Sequence, residues 1–203
     1  MLVVFDLDGT LIDSTRALLE SHKAAWKSVG LKSPPKEDIL SLTGLPLIEI
    51  MQKLGPDQDP MALAEVYSQA YVRASRHECL FEGISDLLAR PFRAAVATGK
   101  SQRVCGADRV VRQFGFENRF EVVLGGNSVS KPKPNPDLLF SIMKKTGTEN
   151  IVMIGDTTYD LEMAHAAGVR GIGVSWGHHP PEILQKWAPV VNSVKELGEI
   201  LGV

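Results

Sequence analysis

Two carboxylates follow the first apolar run of the chain. The residues from Leu2 to Phe5 predict a buried strand, Asp6 and Asp8 come directly after it, and Gly9 ends the extended pattern. Two carboxylates this close repel each other unless a cation lies between them. Magnesium suits such a pair, because it binds oxygen ligands and commonly keeps a phosphate beside one or two carboxylates. The stretch indicates a magnesium–phosphate site, although taken alone it fits an acidic turn equally well.

A second apolar run also stops at a carboxylate. Ile151 to Ile154 predicts a strand, and Asp156 follows it after one glycine. Asp160 lies four residues further on, in the first turn of a predicted helix, where it could support a metal ion through water or through another ligand. The alternative for Asp160 is that it only complements the helix dipole.

The turn after a third strand-like run carries a hydroxyl and a glycine. Thr98 and Gly99 follow the residues from Arg93 to Ala97. Thr98 can offer its hydroxyl to an anion, and Gly99 permits close approach of the backbone. The alternative is that Thr98 merely ends the strand, so this signal is weak by itself.

A proline-rich segment presents a lysine. Pro132 keeps Lys131 out of helical geometry, and Pro134 makes the segment stiff. We expect Lys131 to be held beside a strand end, where its ammonium neutralises phosphate charge. Lys133, the nearby competitor, is expected to point into solvent.

The elements that position these residues alternate along the chain. Helical patterns separate most of the strand-like runs, which are Leu2–Phe5, Arg93–Ala97, Glu121–Leu124, Ile151–Ile154, Gly171–Val174 and Val190–Val191. This alternation predicts an α/β fold with a parallel, doubly wound sheet. Ligands of such sheets bind outside the carboxyl ends of the strands. Asp6, Thr98 and Asp156 are all predicted there, and Lys131 follows another strand.

One long helical stretch interrupts the alternation. Between the first two core strands lie several amphipathic segments, so we predict a helical cap domain at residues 14–82. The α/β core is then made of residues 1–13 and 83–203. The alternative is an ordinary elongated crossover, which the number of helical segments disfavours.

Composition restricts the partners. The 203 residues carry a net charge of −2 without a basic stripe, so nucleic acid is not an expected partner. No apolar run is long enough to cross a bilayer, so no membrane partner is expected either. Cys79 and Cys105 have no metal-ligand spacing and suit a reducing cytoplasm. The oligomeric state cannot be read from the sequence.

Four segments together resemble the motifs of the haloacid dehalogenase-like superfamily of hydrolases. They are Asp6-Leu7-Asp8-Gly9-Thr10, Thr98-Gly99, Lys131-Pro132 and Gly155-Asp156-Thr157-Thr158-Tyr159-Asp160, in matching order and spacing. The proline-rich segment and Val174-Ser175-Trp176-Gly177 are similar to the phosphoglycolate phosphatase-like branch. The resemblance covers residues 1–13 and 83–177, whereas the cap matches only in position and character.

This resemblance implies a phosphatase mechanism. Asp6 would attack phosphorus and form an aspartyl-phosphate, and Asp8 would act as general acid and then as general base. Mg²⁺ would be held by Asp6, the main-chain carbonyl of Asp8 and Asp156, with Asp160 in support. The phosphoryl oxygens would be held by Thr98, the Gly99 amide and Lys131. The implied substrate is a small phosphorylated metabolite, either phosphoglycolate-like or a sugar phosphate.

Alternative functions remain open at this stage. Dehalogenases of the superfamily lack an acid at the position of Asp8, which argues against that chemistry. A sugar-phosphate mutase of the same branch is disfavoured because the cap loop Leu42–Leu47 contains no arginine. A non-catalytic binding or regulatory module would retain the fold without turnover. His178 and His179 stand beside two prolines, and we expect them in an exposed turn rather than at a metal.

Overall fold

The computed structural model describes residues 1–102 and 106–203, so the prediction for Cys105 lies outside the described residues. A parallel six-stranded sheet forms its centre, made of β1 (Leu2–Phe5), β4 (Arg93–Ala97), β5 (Val122–Leu124), β6 (Ile151–Gly155), β7 (Arg170–Val174) and β8 (Val190–Val191). Across the sheet these strands lie in the order β5-β4-β1-β6-β7-β8. The predicted strand runs therefore correspond to the six strands of one sheet.

Helices cover both faces of this sheet. They are α5 (Ile84–Leu88), α6 (Ala107–Gln113), α7 (Asp137–Thr146), α8 (Thr158–Ala166), α9 (Pro181–Leu184) and α10 (Val194–Leu201). Side chains alternate across β1, so Val3 and Phe5 join one apolar core and Leu2 and Val4 join the other. Burial on both faces explains why the strands are apolar throughout. The predicted doubly wound α/β fold class is confirmed.

A helical cap is inserted after the first strand, as predicted. The chain enters and leaves it through a short antiparallel ribbon of β2 (Ile12–Asp13) and β3 (Cys79–Leu80). Between these strands lie α1 (Thr15–Ser28), α2 (Lys36–Leu42), α3 (Leu47–Leu54) and α4 (Pro60–Ala74). Their apolar faces form a separate core that includes Trp26, Met51 and Leu63. The predicted boundaries of the cap domain, residues 14 and 82, lie close to this ribbon and stay a prediction.

The described helices include none that is long and apolar enough to cross a membrane.

Candidate active site

Three neighbouring strands end at the residues that the sequence singled out. β1 pairs with β4 on one side and with β6 on the other, in parallel register. Asp6, Thr98 and Asp156 follow the ends of these three strands, and all three are at most 2% exposed. Because parallel strands share one carboxyl edge, the sheet itself brings these side chains to one place.

Three buried carboxylates gather at this edge. Oxygen atoms of Asp6, Asp156 and Asp160 all lie within 4.8 Å of one another. Burial is the main cause that raises the pKa of Asp6 to about 7, and the neighbouring acids add to it while Lys133 opposes it. The donor set consists of carboxylate oxygens, so it fits a hard divalent cation.

The lysine at this cluster is Lys133, not Lys131. The prediction that Lys133 points into solvent is wrong: its side chain is fully buried, and Nζ lies 2.8 Å from Asp6 Oδ1. Nζ also forms an ion pair with Asp160. Burial alone would lower the pKa of Lys133, but the two carboxylates outweigh it and raise the pKa. Lys131 is exposed and is not part of the cluster. Two consecutive Lys-Pro pairs made the register ambiguous in the sequence.

Asp160 fixes both this lysine and the helix behind it. One carboxylate oxygen contacts Lys133, and the other accepts hydrogen bonds from the Thr157 backbone amide at 3.1 Å and from its hydroxyl at 2.7 Å. Thr157 and Asp160 form the capping box that starts α8. Asp160 therefore holds the lysine and also belongs to the carboxylate cluster, and its predicted supporting role at a metal ion stays a prediction.

Asp156 is held by donors from two other segments. Its Oδ1 accepts a hydrogen bond from the Thr10 hydroxyl at 2.8 Å, and its Oδ2 accepts one from the His178 backbone amide at 2.8 Å. The imidazole Nδ1 of His178 lies 3.0 Å from Oδ2. Burial would raise the pKa of Asp156, but the contacts with His178 and Thr10 outweigh it and hold the pKa below its usual value. A Cβ atom on Gly9 would collide with the Asp156 carboxylate, so only glycine fits there.

The expectation of an exposed turn at His178 and His179 is also wrong. The side chain of His178 is 2% exposed, and His179 is 8% exposed. His179 accepts a hydrogen bond from the Thr158 amide at Nδ1, at 3.1 Å, and its Nε2 lies 3.0 Å from the Ser41 carbonyl oxygen in the cap. An acceptor role at Nδ1 leaves the proton on Nε2, which donates to Ser41. The two prolines that follow gave no indication of these contacts.

Asp8 has a separate partner, Lys100, that was not predicted from the sequence. Lys100 Nζ lies 2.9 and 2.8 Å from its two carboxylate oxygens and 3.0 Å from the hydroxyl of Tyr71 in the cap. Burial opposes ionisation of Asp8, but Lys100 outweighs it, and the pKa stays below its usual value. The Tyr71 hydroxyl donates in turn to Glu78 at 2.5 Å, and Glu78 pairs with Arg109 at 2.6 Å. Nothing in the sequence indicated the contact between Asp8 and Lys100, because the two residues are far apart in the chain.

The cap rests directly on the edge of the sheet. A Cβ atom on Gly99 would collide with the carbonyl oxygen of Gly44 in the loop between α2 and α3. On the other side, the Tyr159 hydroxyl donates to the Ser41 carbonyl oxygen at 3.1 Å. Gly99 was predicted because its amide can face a phosphate. The structure adds that glycine is needed there because the cap loop approaches the backbone so closely.

A cavity of about 790 Å³ lies between the cap and the core. Asp6, Asp8, Thr98 and Gly99 line its floor, and Lys100 lines the same end. Cap residues form the opposite wall. The candidate catalytic groups therefore face a cleft that is open to solvent at one side and has the size that small-molecule ligands occupy.

Comparisons with known proteins give the family of this chain. The family model described as haloacid dehalogenase-like hydrolase matches residues 3–174. The chain is 32% identical to a protein of Mycobacterium tuberculosis named tyrosine-protein kinase PtkA, over 100% of this chain and 72% of that protein. It is 29% identical to a phosphoglycolate phosphatase of Neisseria meningitidis, over 98% of this chain and 92% of that protein.

A solved structure shares the fold. The crystal structure of a predicted phosphatase from Clostridium acetobutylicum superposes with a TM-score of 0.87, covering 100% of this chain and 98% of that one at 24% identity.

Proposed function

The chain belongs to the haloacid dehalogenase-like hydrolase family, as its motifs predicted, and on this premise we propose that it is a magnesium-dependent phosphatase of small phosphomonoesters. One observation carries the proposal. Asp6 is buried at the floor of the cavity with an ammonium at 2.8 Å and two further carboxylates beside it. A carboxylate in that position can act as a nucleophile toward phosphorus once its charge is offset.

Magnesium fits the residues that are present. Asp6 and Asp156 supply oxygen ligands, and Asp160 supports the site through Lys133. Three carboxylates and one ammonium leave an excess of negative charge in a buried place, and the neighbouring acids add to the effect of burial in raising the pKa of Asp6. When bound, Mg²⁺ supplies the positive charge that offsets repulsion between the carboxylate and a phosphate.

In the first half-reaction, formation of the aspartyl-phosphate, Asp6 acts together with the groups that bind the phosphate. A carboxylate oxygen of Asp6 forms a bond to phosphorus as the bond from phosphorus to the ester oxygen breaks, which gives an aspartyl-phosphate. Lys133, held in place by Asp160, neutralises charge on the transferring phosphoryl group. The Thr98 hydroxyl and the Gly99 amide are the further donors that we assign to the phosphoryl oxygens. In this proposal Lys133 takes the role predicted for Lys131.

Asp8 is the proposed general acid and base. It protonates the leaving alkoxide, and it then takes a proton from the water that hydrolyses the aspartyl-phosphate. The ion pair with Lys100 keeps Asp8 ionised at neutral pH. Protonation of Asp8 therefore requires that this ion pair loosens when the substrate phosphate arrives and competes for the ammonium.

Two other reactions compete with hydrolysis. A mutase would need to hold a second phosphate, and the cap loop Leu42–Leu47 offers no arginine for that purpose. The name of the mycobacterial relative introduces phosphoryl transfer from ATP to tyrosine as a further reaction to be tested. The predicted cytoplasmic location stays a prediction.

The decisive experiment measures phosphate release from phosphoglycolate, glucose 6-phosphate and benzyl phosphate, with and without Mg²⁺. We expect metal-dependent turnover by the wild type, none by Asp6→Asn, and unchanged turnover by Asp57→Asn, a matched control at an exposed position of the cap. Acid-labile phosphate should be trapped on the wild-type protein only. Absence of release from every ester would contradict the proposal, and labelling of a tyrosine peptide from ATP would favour the kinase reaction.

A further inference from the structure

The wall that the cap contributes to the cavity is predominantly apolar. It is formed by side chains from α1, from the loop before α3, and from α3 and α4, among them Leu18, Leu45, Leu47, Ile48, Ile50 and Met61. This wall faces the end of the cavity where Asp6 and Asp8 lie. In a phosphatase of this geometry, the alcohol part of the substrate must extend toward the wall when the phosphate lies at Asp6.

Aromatic rings continue this surface. Tyr67 and Tyr71 are stacked with their ring centroids 5.6 Å apart, and both line the cavity. His22 contacts Tyr67 edge-on at 4.9 Å. Burial lowers the pKa of His22 to about 4, so the imidazole is neutral at pH 7. The polar ring in this wall therefore contributes no positive charge.

The charges on the cap side of the cavity are negative. Asp59 and Glu65 line it, and both are exposed at its mouth. Among the described lining residues, the one lysine or arginine is Lys100, and both oxygens of Asp8 already bind its ammonium. A carboxylate in the alcohol part of a substrate would lose its hydration against an apolar wall and would meet two acids.

From this distribution we propose that the substrate is a phosphomonoester with an uncharged, apolar alcohol part, preferably an aromatic one. The cavity of about 790 Å³ leaves most of its space empty when the alcohol is as small as glycolate. Apolar wall, stacked rings and acidic mouth all disfavour a carboxylated ester such as phosphoglycolate. This inference rests on the proposed phosphatase function and selects a substrate class within it.

The test compares benzyl phosphate with 4-carboxybenzyl phosphate in the presence of Mg²⁺. Both esters release a primary alkoxide, so they differ mainly in a charge remote from the reacting atoms. We expect kcat/KM for benzyl phosphate to be at least about tenfold higher, chiefly through KM. Equal or faster hydrolysis of 4-carboxybenzyl phosphate or phosphoglycolate would overturn the inference while leaving the phosphatase proposal intact. Absence of release from every ester would overturn both.

A charge placed in the wall supplies a second readout. Ile48→Lys adds a cation at a lining position that is 39% exposed, so the fold should tolerate it. We expect it to reduce the preference for benzyl phosphate about threefold or more. Val72→Lys, at a position on α4 that is 54% exposed and does not line the cavity, is the matched control and should leave the preference unchanged. Equal effects of the two variants would show that the wall does not select the substrate.

Discussion

Charged side chains are distributed differently at the carboxyl edge of the sheet and on the wall of the cap. At the edge, ionisable groups are buried, and each of them has a partner of opposite charge or a hydrogen-bond donor, as Lys133 has in Asp6 and Asp160. On the cap wall, buried positions carry mostly apolar side chains and a neutral histidine, and the charged residues Asp59 and Glu65 are exposed at the mouth. The difference indicates a division of tasks: the core edge supplies the reaction, and the cap supplies the environment of the leaving group.

The largest expected effect comes from the buried lysine. Lys133→Met removes the ammonium from Asp6 and Asp160, and we expect kcat/KM for phosphate release to fall about 10²–10³-fold. Lys131→Met is the matched control, because it changes an exposed lysine two residues away, and it should stay near the wild-type rate. If Lys131→Met is the more damaging variant, the assignment of the lysine in this site is incorrect.

The second prediction concerns the neutral histidine in the cap. The folded protein holds His22 with a pKa of about 4, whereas the unfolded chain has a value near 6.5. As the pH falls below 6.5, His22 becomes protonated in the unfolded chain but stays neutral in the folded protein. The free energy of unfolding therefore decreases. Between pH 7.5 and 5 this should cost about 2 kcal/mol.

Urea unfolding at the two pH values checks this expectation. His22→Leu removes the titrating group and should lose less stability than the wild type over the same interval. Because the other groups titrate in both proteins, the difference between the two losses isolates His22. Equal losses in both proteins would mean that His22 does not control the acid sensitivity of the cap.

A third prediction concerns the place where the two regions meet. Gly99→Ala puts a Cβ atom against the carbonyl oxygen of Gly44, so the cap can no longer close fully over the cavity. We expect kcat/KM to fall about tenfold, since closure excludes water and completes the site. The melting temperature should change little, because the clash is relieved when the cap opens. If Gly99→Ala has wild-type kinetics, the close contact between residue 99 and Gly44 is not needed for closure of the cap.

The smallest effects should come from the acidic mouth. Asp59 accepts hydrogen bonds from the Met61 amide at 2.9 Å and from the Ala62 amide at 3.3 Å at the start of α4. Asp59→Ala should therefore cost about 1 kcal/mol of stability, measured by urea unfolding. Asp59→Asn keeps a capping oxygen and removes the charge, so it should preserve stability and raise kcat/KM for 4-carboxybenzyl phosphate slightly. A decrease for that ester would contradict the role given to the acidic mouth.

The sheet could be predicted because each strand is defined by residues that are neighbours in the sequence. Each apolar run fixes a strand, and a carboxylate or threonine at its end must lie at the common edge of a parallel sheet. This reasoning gives the confirmed fold class and places Asp6, Thr98 and Asp156 together before any coordinates are known. It also predicts a cap between the first two core strands, from the number of helical segments alone.

The lysines and histidines could not be predicted in the same way. Lys131 and Lys133 both precede proline, so their local preferences are the same, and only the path of the chain decides which ammonium is buried. His178 follows a glycine whose Cβ would collide with Asp156, a constraint that exists only after the two segments meet. A turn beside prolines is ordinarily exposed, and tertiary contacts overrode that preference here.

By itself the sequence determined the fold class, the cap insertion and the residues at the strand ends, because periodicity and strand termination are properties of neighbouring residues. The tertiary structure decided which lysine is buried, that Lys100 binds Asp8, and that an apolar wall faces the site. These are contacts between residues far apart in the chain; Asp8 and Lys100 are separated by 92 positions. Burial and charge pairing depend on which surfaces meet, and that is settled only when the cap and the core pack together.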